Sequence, residues 1–279
     1  MSVRPKVNIV VALPSEAAPL RAAFGLRQVR ERPFRVHEGE SHRVVISGVG
    51  AHLAAAAVGF LGGCFPDSGD QLWLNIGVAG HASAKPGTLF IAHKVTDQVS
   101  GQTWYPCIDY PGSSPTADVL TVPSVCENYP IDTCCEMEAA GFMSAVNRLT
   151  MADNIQVLKI VSDNRDNPVS EITRELIQQL VTENIEGIEQ ICRALSERLI
   201  DRAPRWQGLE SSELATIYRN WRFTSAQTQQ MRDRVSRWYA ITDGEPIIPL
   251  LNDCRSADQA LVRLGDAISS HLPLKKVSP

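Results

Sequence analysis

Two carboxylates stand two residues apart in Cys134-Cys135-Glu136-Met137-Glu138-Ala139-Ala140-Gly141-Phe142-Met143, where an apolar run gives way to a helical pattern. Glutamate is rarely buried without a partner, and desolvating an unpaired carboxylate is costly. A second acidic junction follows, where the apolar run Ile155 to Val161 ends in Ser162-Asp163-Asn164. A third comes first in the chain, where Lys6 to Leu13 ends in Pro14-Ser15-Glu16. Acids gathered in this way can exchange protons or face a developing cation. Other chemistries lack their residues. The six histidines are scattered without HExxH and the seven cysteines lack metal-type spacing, so neither a metal nor a cofactor is expected. Gly48-Val49-Gly50 between a strand and a helix begins a dinucleotide fingerprint, but Leu53 stands where its third glycine belongs.

Strands must carry these acids to one place. Lys6 to Leu13 is continuously apolar, as in a strand covered on both faces. Ala17 to Phe24 reads as a helix stopped by Gly25, and Gly39-Glu40-Ser41 as a hairpin turn between Arg35 to Glu38 and His42 to Ser47. An Ala-rich helix runs from Ala51 to about Gly62. Leu72 to Ile76 reads as a short strand closing on a small-residue turn, Gly77-Val78-Ala79-Gly80-His81. Thr88 to Val95, Asp118 to Val122, Ile131 to Cys135 and Ile155 to Val161 are further strands. Met137 to Asn147 is helical, and Val169 to Leu199 reads as one long helix with capping chemistry around Ser170 to Thr173. Ser100 to Ser114 is rich in Gly and Pro, and its Trp104-Tyr105-Pro106 reads either as a lid or stacking surface or as local packing. The alternation predicts an α/β fold, in which ligands sit at strand carboxyl ends. The polar residues at those ends are Glu16, Ser47, Asn75, Glu136, Glu138, Ser162 and Asp163.

Composition narrows the setting. A net charge of −4 argues against a general nucleic-acid binder. The longest apolar run, Leu53 to Phe65, is too short and Gly-rich to span a bilayer, and no N-terminal signal pattern appears. Cysteines without a disulfide or metal pattern fit reduced thiols in a cytoplasmic protein, with Cys134 and Cys135 in the core. Past Ala203-Pro204-Arg205 the composition shifts: Trp206, Trp221 and Trp238 fall among Arg219, Arg222, Arg232, Arg234 and Arg237. Residues 1–203 are expected to form one domain and residues 204–279 a helical appendage. Helices are expected over Leu209 to Asn220, from a Thr224 cap to about Tyr239, and over Ser256 to Leu272.

Taken in order, five junctions resemble one family: Ala12-Leu13-Pro14-Ser15-Glu16, Ser47-Gly48-Val49-Gly50, Asn75-Ile76-Gly77-Val78-Ala79-Gly80, Glu136-Met137-Glu138-Ala139-Ala140 and Ile160-Val161-Ser162-Asp163. They resemble the nucleoside phosphorylase superfamily of the purine and uridine phosphorylase type, most of all its methylthioadenosine/S-adenosylhomocysteine nucleosidase branch. The resemblance covers roughly residues 6 to 200. It implies a three-layer αβα fold with a central mixed sheet, and cleavage of the N-glycosidic bond of a nucleoside. Asp163 falls on the general acid that protonates a purine, Glu138 on the carboxylate that binds ribose hydroxyls, Met137 on the residue packed against the ribose, and Glu16 on the carboxylate that orients water. The implied substrate site also includes Glu136, Val78, Gly80, Ser162 and Lys159, with Trp104, Tyr105 and Val122 toward the base. Each acid has a plainer reading: Glu16 as a first-turn acid, Asp163 as an Asx-turn residue, Glu136 as a buried structural partner. Ser15-Glu16 stands where phosphorylases carry Gly-Asp, and no Arg precedes Asn75-Ile76-Gly77, so water is the expected nucleophile. Arg21 and Arg43 are the residues that would restore a phosphate site. Val78 replaces a usual Ser and Lys159 a usual Arg, which leaves a non-catalytic nucleoside binder as one alternative, as Arg21 and Arg43 leave a phosphorylase as the other. The resemblance also implies a homo-oligomer, a dimer first.

Overall fold

In this computed structural model, residues 6–65, 71–106, 114–126, 128–202, 207–242 and 244–271 are described. The chain divides into two compact units, Val3–Asp201 and Arg202–Pro279. The composition break at Ala203-Pro204-Arg205, Trp206 and Asp243 lie outside the described residues, as does residues 107–113 of the Gly/Pro-rich stretch.

In the larger unit the apolar run Val7–Val11 forms β1, buried along its length. It lies between β4 (His42–Ile46) and β5 (Leu72–Gly80), parallel to both. On its far side β5 is parallel to β10 (Ile155–Asp163). The hairpin turn Gly39-Glu40-Ser41 returns β3 (Arg35–Glu38) antiparallel to β4, and β2 (Arg27–Arg30) follows outside it. At the other end β10 pairs antiparallel with β6 (Leu89–Asp97), which is parallel to β8 (Thr116–Thr121), itself parallel to β9 (Thr133–Glu136). A pairing of Cys135 with Gly80 brings β9 back to β5, so the mixed sheet closes on itself there. A short β7 (Thr103–Trp104) adds to β6.

Side chains alternate across β1, which sorts the core into two layers. Val7, Ile9 and Val11 share one cluster with Leu20 of α1 (Pro14–Ala23), Leu180 of α4 (Arg174–Glu183) and Ile188 of α5 (Ile185–Arg202). Val10 points the other way, to Leu61 of α2 (Ala51–Cys64) and Phe142 of α3 (Ala139–Val146). Helices on both faces of a mixed sheet make the three-layer α/β arrangement. Because β1, β4, β5 and β10 are parallel, their carboxyl ends share one edge, where the acids collect.

Two expectations are corrected. Gly77 to Gly80 is not a turn: β5 continues through it, held by β10 from Leu158–Ile76 to Asp163–Gly80. Val169 to Leu199 is not one helix. Thr173 caps α4, its hydroxyl accepting from the Leu176 N–H at 3.1 Å. Asn184 then ends it, its side-chain amide donating to Leu180 O at 2.9 Å and to Gly87 O at 3.0 Å, and α5 begins afresh.

The smaller unit holds α6 (Gln207–Asn220), α7 (Ser225–Thr242), α8 (Ile248–Leu251) and α9 (Ala257–His271). Thr224 and Gln227 cap α7 reciprocally, at 3.3 and 2.9 Å. Ile217, Met231, Val235, Ile247 and Leu264 form its core, and Trp238 is buried with its indole N–H on Glu245 O at 2.8 Å.

Candidate active site

Glu16 sits in the first turn of α1, where β1 ends. It is 2% exposed, so it is not a solvated first-turn acid. One carboxylate oxygen accepts from the N–H groups of Ala12 at 2.9 Å and Leu13 at 2.8 Å, the other from Val78 N–H at 3.0 Å. Burial raises its pKa, against the pull of these donors and of Lys159. The Val78 position thus supplies a backbone donor, while its side chain packs against the α1/α4 core layer.

The two glutamates of the central stretch take different environments. Glu136, at the end of β9, accepts from the N–H groups of Glu138 at 3.0 Å and Ala139 at 2.8 Å, the Thr121 hydroxyl at 2.5 Å and the Lys159 ammonium at 2.7 Å. Four donors thus hold the carboxylate, three on one oxygen and the Thr121 hydroxyl on the other, and the Val122 N–H closes on the Glu136 backbone carbonyl at 2.7 Å. Glu138 begins α3 and accepts from Gly50 N–H at 2.7 Å. Gly50 turns the chain after β4 at φ +106, a conformation that an L side chain strains to adopt. Burial, then the Glu136 charge, push the Glu138 carboxyl up to about 7. Met137 between them is half-buried.

Lys159 is 1% exposed on β10, and its ammonium also donates to Asn75 at 2.8 Å. Burial would lower its pKa, but the charges of Glu136, Glu138 and Glu16 together hold it raised. Lys159 therefore lies behind the acids as their shared counter-ion. An isolated Lys within an apolar run was the signal for such a partner.

Asp163 ends β10 directly over Gly80. Its Oδ1 accepts from the Ser162 hydroxyl at 2.6 Å and its Oδ2 from the Tyr129 hydroxyl at 2.5 Å. Tyr129, which sequence reasoning did not single out, is 6% exposed. Burial and the Asp163 charge raise its pKa. Of the aromatics expected near the base, Trp104 pairs with Val95 on β7 and packs against the α2/α3 core layer, while Tyr105 is 70% exposed. Tyr129 is the aromatic in contact with Asp163. Thr121 and Asn75 are the other contributors, one locking Glu136 and the other Lys159. Cys134 and Cys135 are buried, their thiols pushed up to about 12 by burial.

A cleft of about 430 Å³ opens against Leu13, Phe34, Ser47, Gly48, Val49 and Leu53. Two of its walls belong to the segments that donate to Glu16, through Leu13 N–H, and to Glu138, through Gly50 N–H, and the third is the connection from Glu31 to Arg35. Among the described residues, no group of three His, Cys, Asp or Glu is placed to hold a metal ion, and no helix is long and apolar enough to cross a membrane.

No protein-family profile and no curated protein sequence matches the chain. Solved structures do. The methylthioadenosine/S-adenosylhomocysteine nucleosidase of Colwellia psychrerythraea in complex with adenine matches at 19% identity over 70% of this chain and 96% of that one, with a TM-score of 0.55. The core has the nucleosidase fold. The methylthioadenosine nucleosidase of Arabidopsis thaliana gives 15% identity over 69% of this chain and 96% of that one, TM-score 0.58. The futalosine hydrolase of Helicobacter pylori gives 13% over 69% and 99%, TM-score 0.57. In each case nearly the whole nucleosidase is matched by about two-thirds of this chain, close to the share taken by Val3–Asp201.

Proposed function

We propose that the protein hydrolyses the N-glycosidic bond of a purine nucleoside, with adenine as the base. The observation that carries this reading is the gathering of Glu16, Glu138 and Asp163 at the carboxyl ends of β1, β9 and β10, each buried and each fixed by named donors. In this reading Asp163 protonates the departing base. Glu138 accepts from the ribose hydroxyls, and its negative charge is worth most as the sugar becomes cationic. Glu16 orients the water that attacks the anomeric carbon. The adenine complex of the Colwellia nucleosidase supports the choice of base. The resemblance favours a homo-oligomer, a dimer first, and the unpatterned cysteines favour the cytoplasm.

Water is favoured over phosphate by charge and by distance. A dianion would face three buried carboxylates with Lys159 already committed to Glu136 and Asn75. Arg43 does not restore a phosphate site. It sits at the start of β4, paired with Asn8 and Glu38 at 3.0 and 2.8 Å, four residues or about 13 Å before Ser47.

The test is a panel of nucleosides incubated with and without phosphate. Adenine release that needs no phosphate is the expected result; a strict phosphate requirement would overturn the hydrolytic reading. Replacing Asp163 by Asn should lower kcat about 10²–10⁴-fold, with the far-UV spectrum unchanged. An Asp163→Asn enzyme as fast as the parent would remove Asp163 from its role.

A further inference from the structure

Tyr129 has no part in the reaction as described, yet it touches the acid on which that reaction turns. Its hydroxyl donates to Asp163 Oδ2 at 2.5 Å. Its ring lies on the backbone of β5: a Cβ placed at Gly80 would fall 2.4 Å from Tyr129 Cε1 and 2.6 Å from Asp163 Oδ2. Carbon atoms in contact stand about 3.5–4.0 Å apart, so no second ring fits between the phenol and Gly80. The cleft of about 430 Å³ reaches the loops next to Glu16 and Glu138, but none of Glu16, Glu138, Asp163 and Tyr129 is among its lining residues.

We propose that Tyr129 is the specificity-determining residue of the base subsite: its phenol stands in the place of the base, and a base reaches Asp163 only by displacing it. The inference rests on the reading of Asp163 as the acid that meets the base. The closed arrangement leaves both oxygens of Asp163 accepting hydroxyl hydrogen bonds, from Ser162 and Tyr129. A ligand that takes the place of Tyr129 must restore the lost bond, because a buried carboxylate left short of a donor opposes binding. Rings that present a proton-bearing or protonatable nitrogen to Asp163 do so, and purely apolar rings do not. Tyr129 is carried by the connection from Thr121 to Thr133, which has neither helix nor strand among its described residues, so its ring can move without breaking the sheet.

Such a residue leaves a thermodynamic mark. When only the open fraction of the protein binds, the measured dissociation constant is the intrinsic one divided by that fraction. Tyr129→Phe keeps the ring but removes the bond that holds it closed, so it raises the open fraction. A tyrosine that instead held the base through its hydroxyl would give the opposite change.

The experiment is calorimetric titration of adenine into the full chain, Tyr129→Phe and Tyr129→Ala, with far-UV spectra as folding controls. Tyr129→Phe is expected to bind adenine about tenfold more tightly than the parent, the loss of one hydroxyl-to-carboxylate bond from the closed form. Adenine binding by either variant where the parent binds none also supports the proposal. If the parent binds adenine and Tyr129→Phe binds it equally or more weakly, the role of Tyr129 is overturned while the base assignment stands. If none of the three binds adenine, both fall.

Discussion

Glu138 is a residue whose charge state the fold sets directly. Its folded pKa of about 7 lies above its ordinary 4.5, because burial and the Glu136 charge penalise the carboxylate. A group raised in this way contributes stability that is complete below its unfolded pKa and is lost as pH rises through the folded value. Between about pH 4.5 and 7 the parent should lose on the order of 2–3 kcal/mol from this residue relative to Glu138→Gln, at about 1.4 kcal/mol for each pH unit. Glutamine keeps an oxygen for the Gly50 N–H and cannot ionise. Denaturant melts of both proteins at pH 5 and 8 measure the difference. Parallel pH curves would show that Glu138 ionises without penalty. In the proposed reaction the same penalty has a use, since a carboxylate short of counter-charge is relieved when the sugar turns cationic. The motif Glu136-Met137-Glu138 announced two needy carboxylates. It did not say that Lys159 and Thr121 would satisfy the first and leave the second with one donor from Gly50.

At the scale of elements, α3 is held where Glu138 needs it by contact with the start of α2. A Cβ at Gly141 would fall 1.8 Å from the carbonyl oxygen of Ala51, a backbone atom that cannot swing aside. Gly141→Ala must therefore push the two helices apart, and overpacking of this kind costs about 1–3 kcal/mol. The upper end is expected here, read as a fall in the denaturant midpoint. Because Gly50 adjoins Ala51, the same push carries its N–H from Glu138, so on the proposed function nucleoside binding should weaken as well. A Gly141→Ala protein as stable as the parent would mean that the helices do not meet this closely. The strands that frame the site were legible because they are predominantly apolar runs buried on both faces, broken only by Asn8 in β1 and by Gln156 and Lys159 before the Ser162-Asp163 end of β10. Gly77 to Gly80 was misread because four small residues look like a turn in isolation, and only the pairing with β10 makes them a strand. The break at Asn184 depends on Gly87, almost a hundred residues away in sequence. Tyr129 left no local signal, since an aromatic in an irregular connection has no periodicity to betray its burial.

At the scale of the whole molecule, each of the two units has an apolar core of its own. Each is therefore expected to unfold as its own cooperative transition. In Arg202–Pro279 a polar tie is Glu213 on α6, which accepts from the N–H groups of Ile247 at 2.7 Å and Ile248 at 3.1 Å and from the Tyr239 hydroxyl. It joins α6, α7 and α8 through one carboxylate. Glu213→Ala leaves two backbone donors and a phenol without that acceptor, a loss of about 3 kcal/mol. For a unit of this size that lowers its melting temperature by on the order of 10 °C or more. Adenine, on the proposed function, binds only the folded larger unit and raises the other transition with the logarithm of its concentration over Kd. Scanning calorimetry of the parent and Glu213→Ala, each with and without adenine, separates the two effects. The substitution should move one transition and the ligand the other. A single transition that both of them move would show that the units fold as one, and the helical unit would then have to be counted among the supports of the acid site.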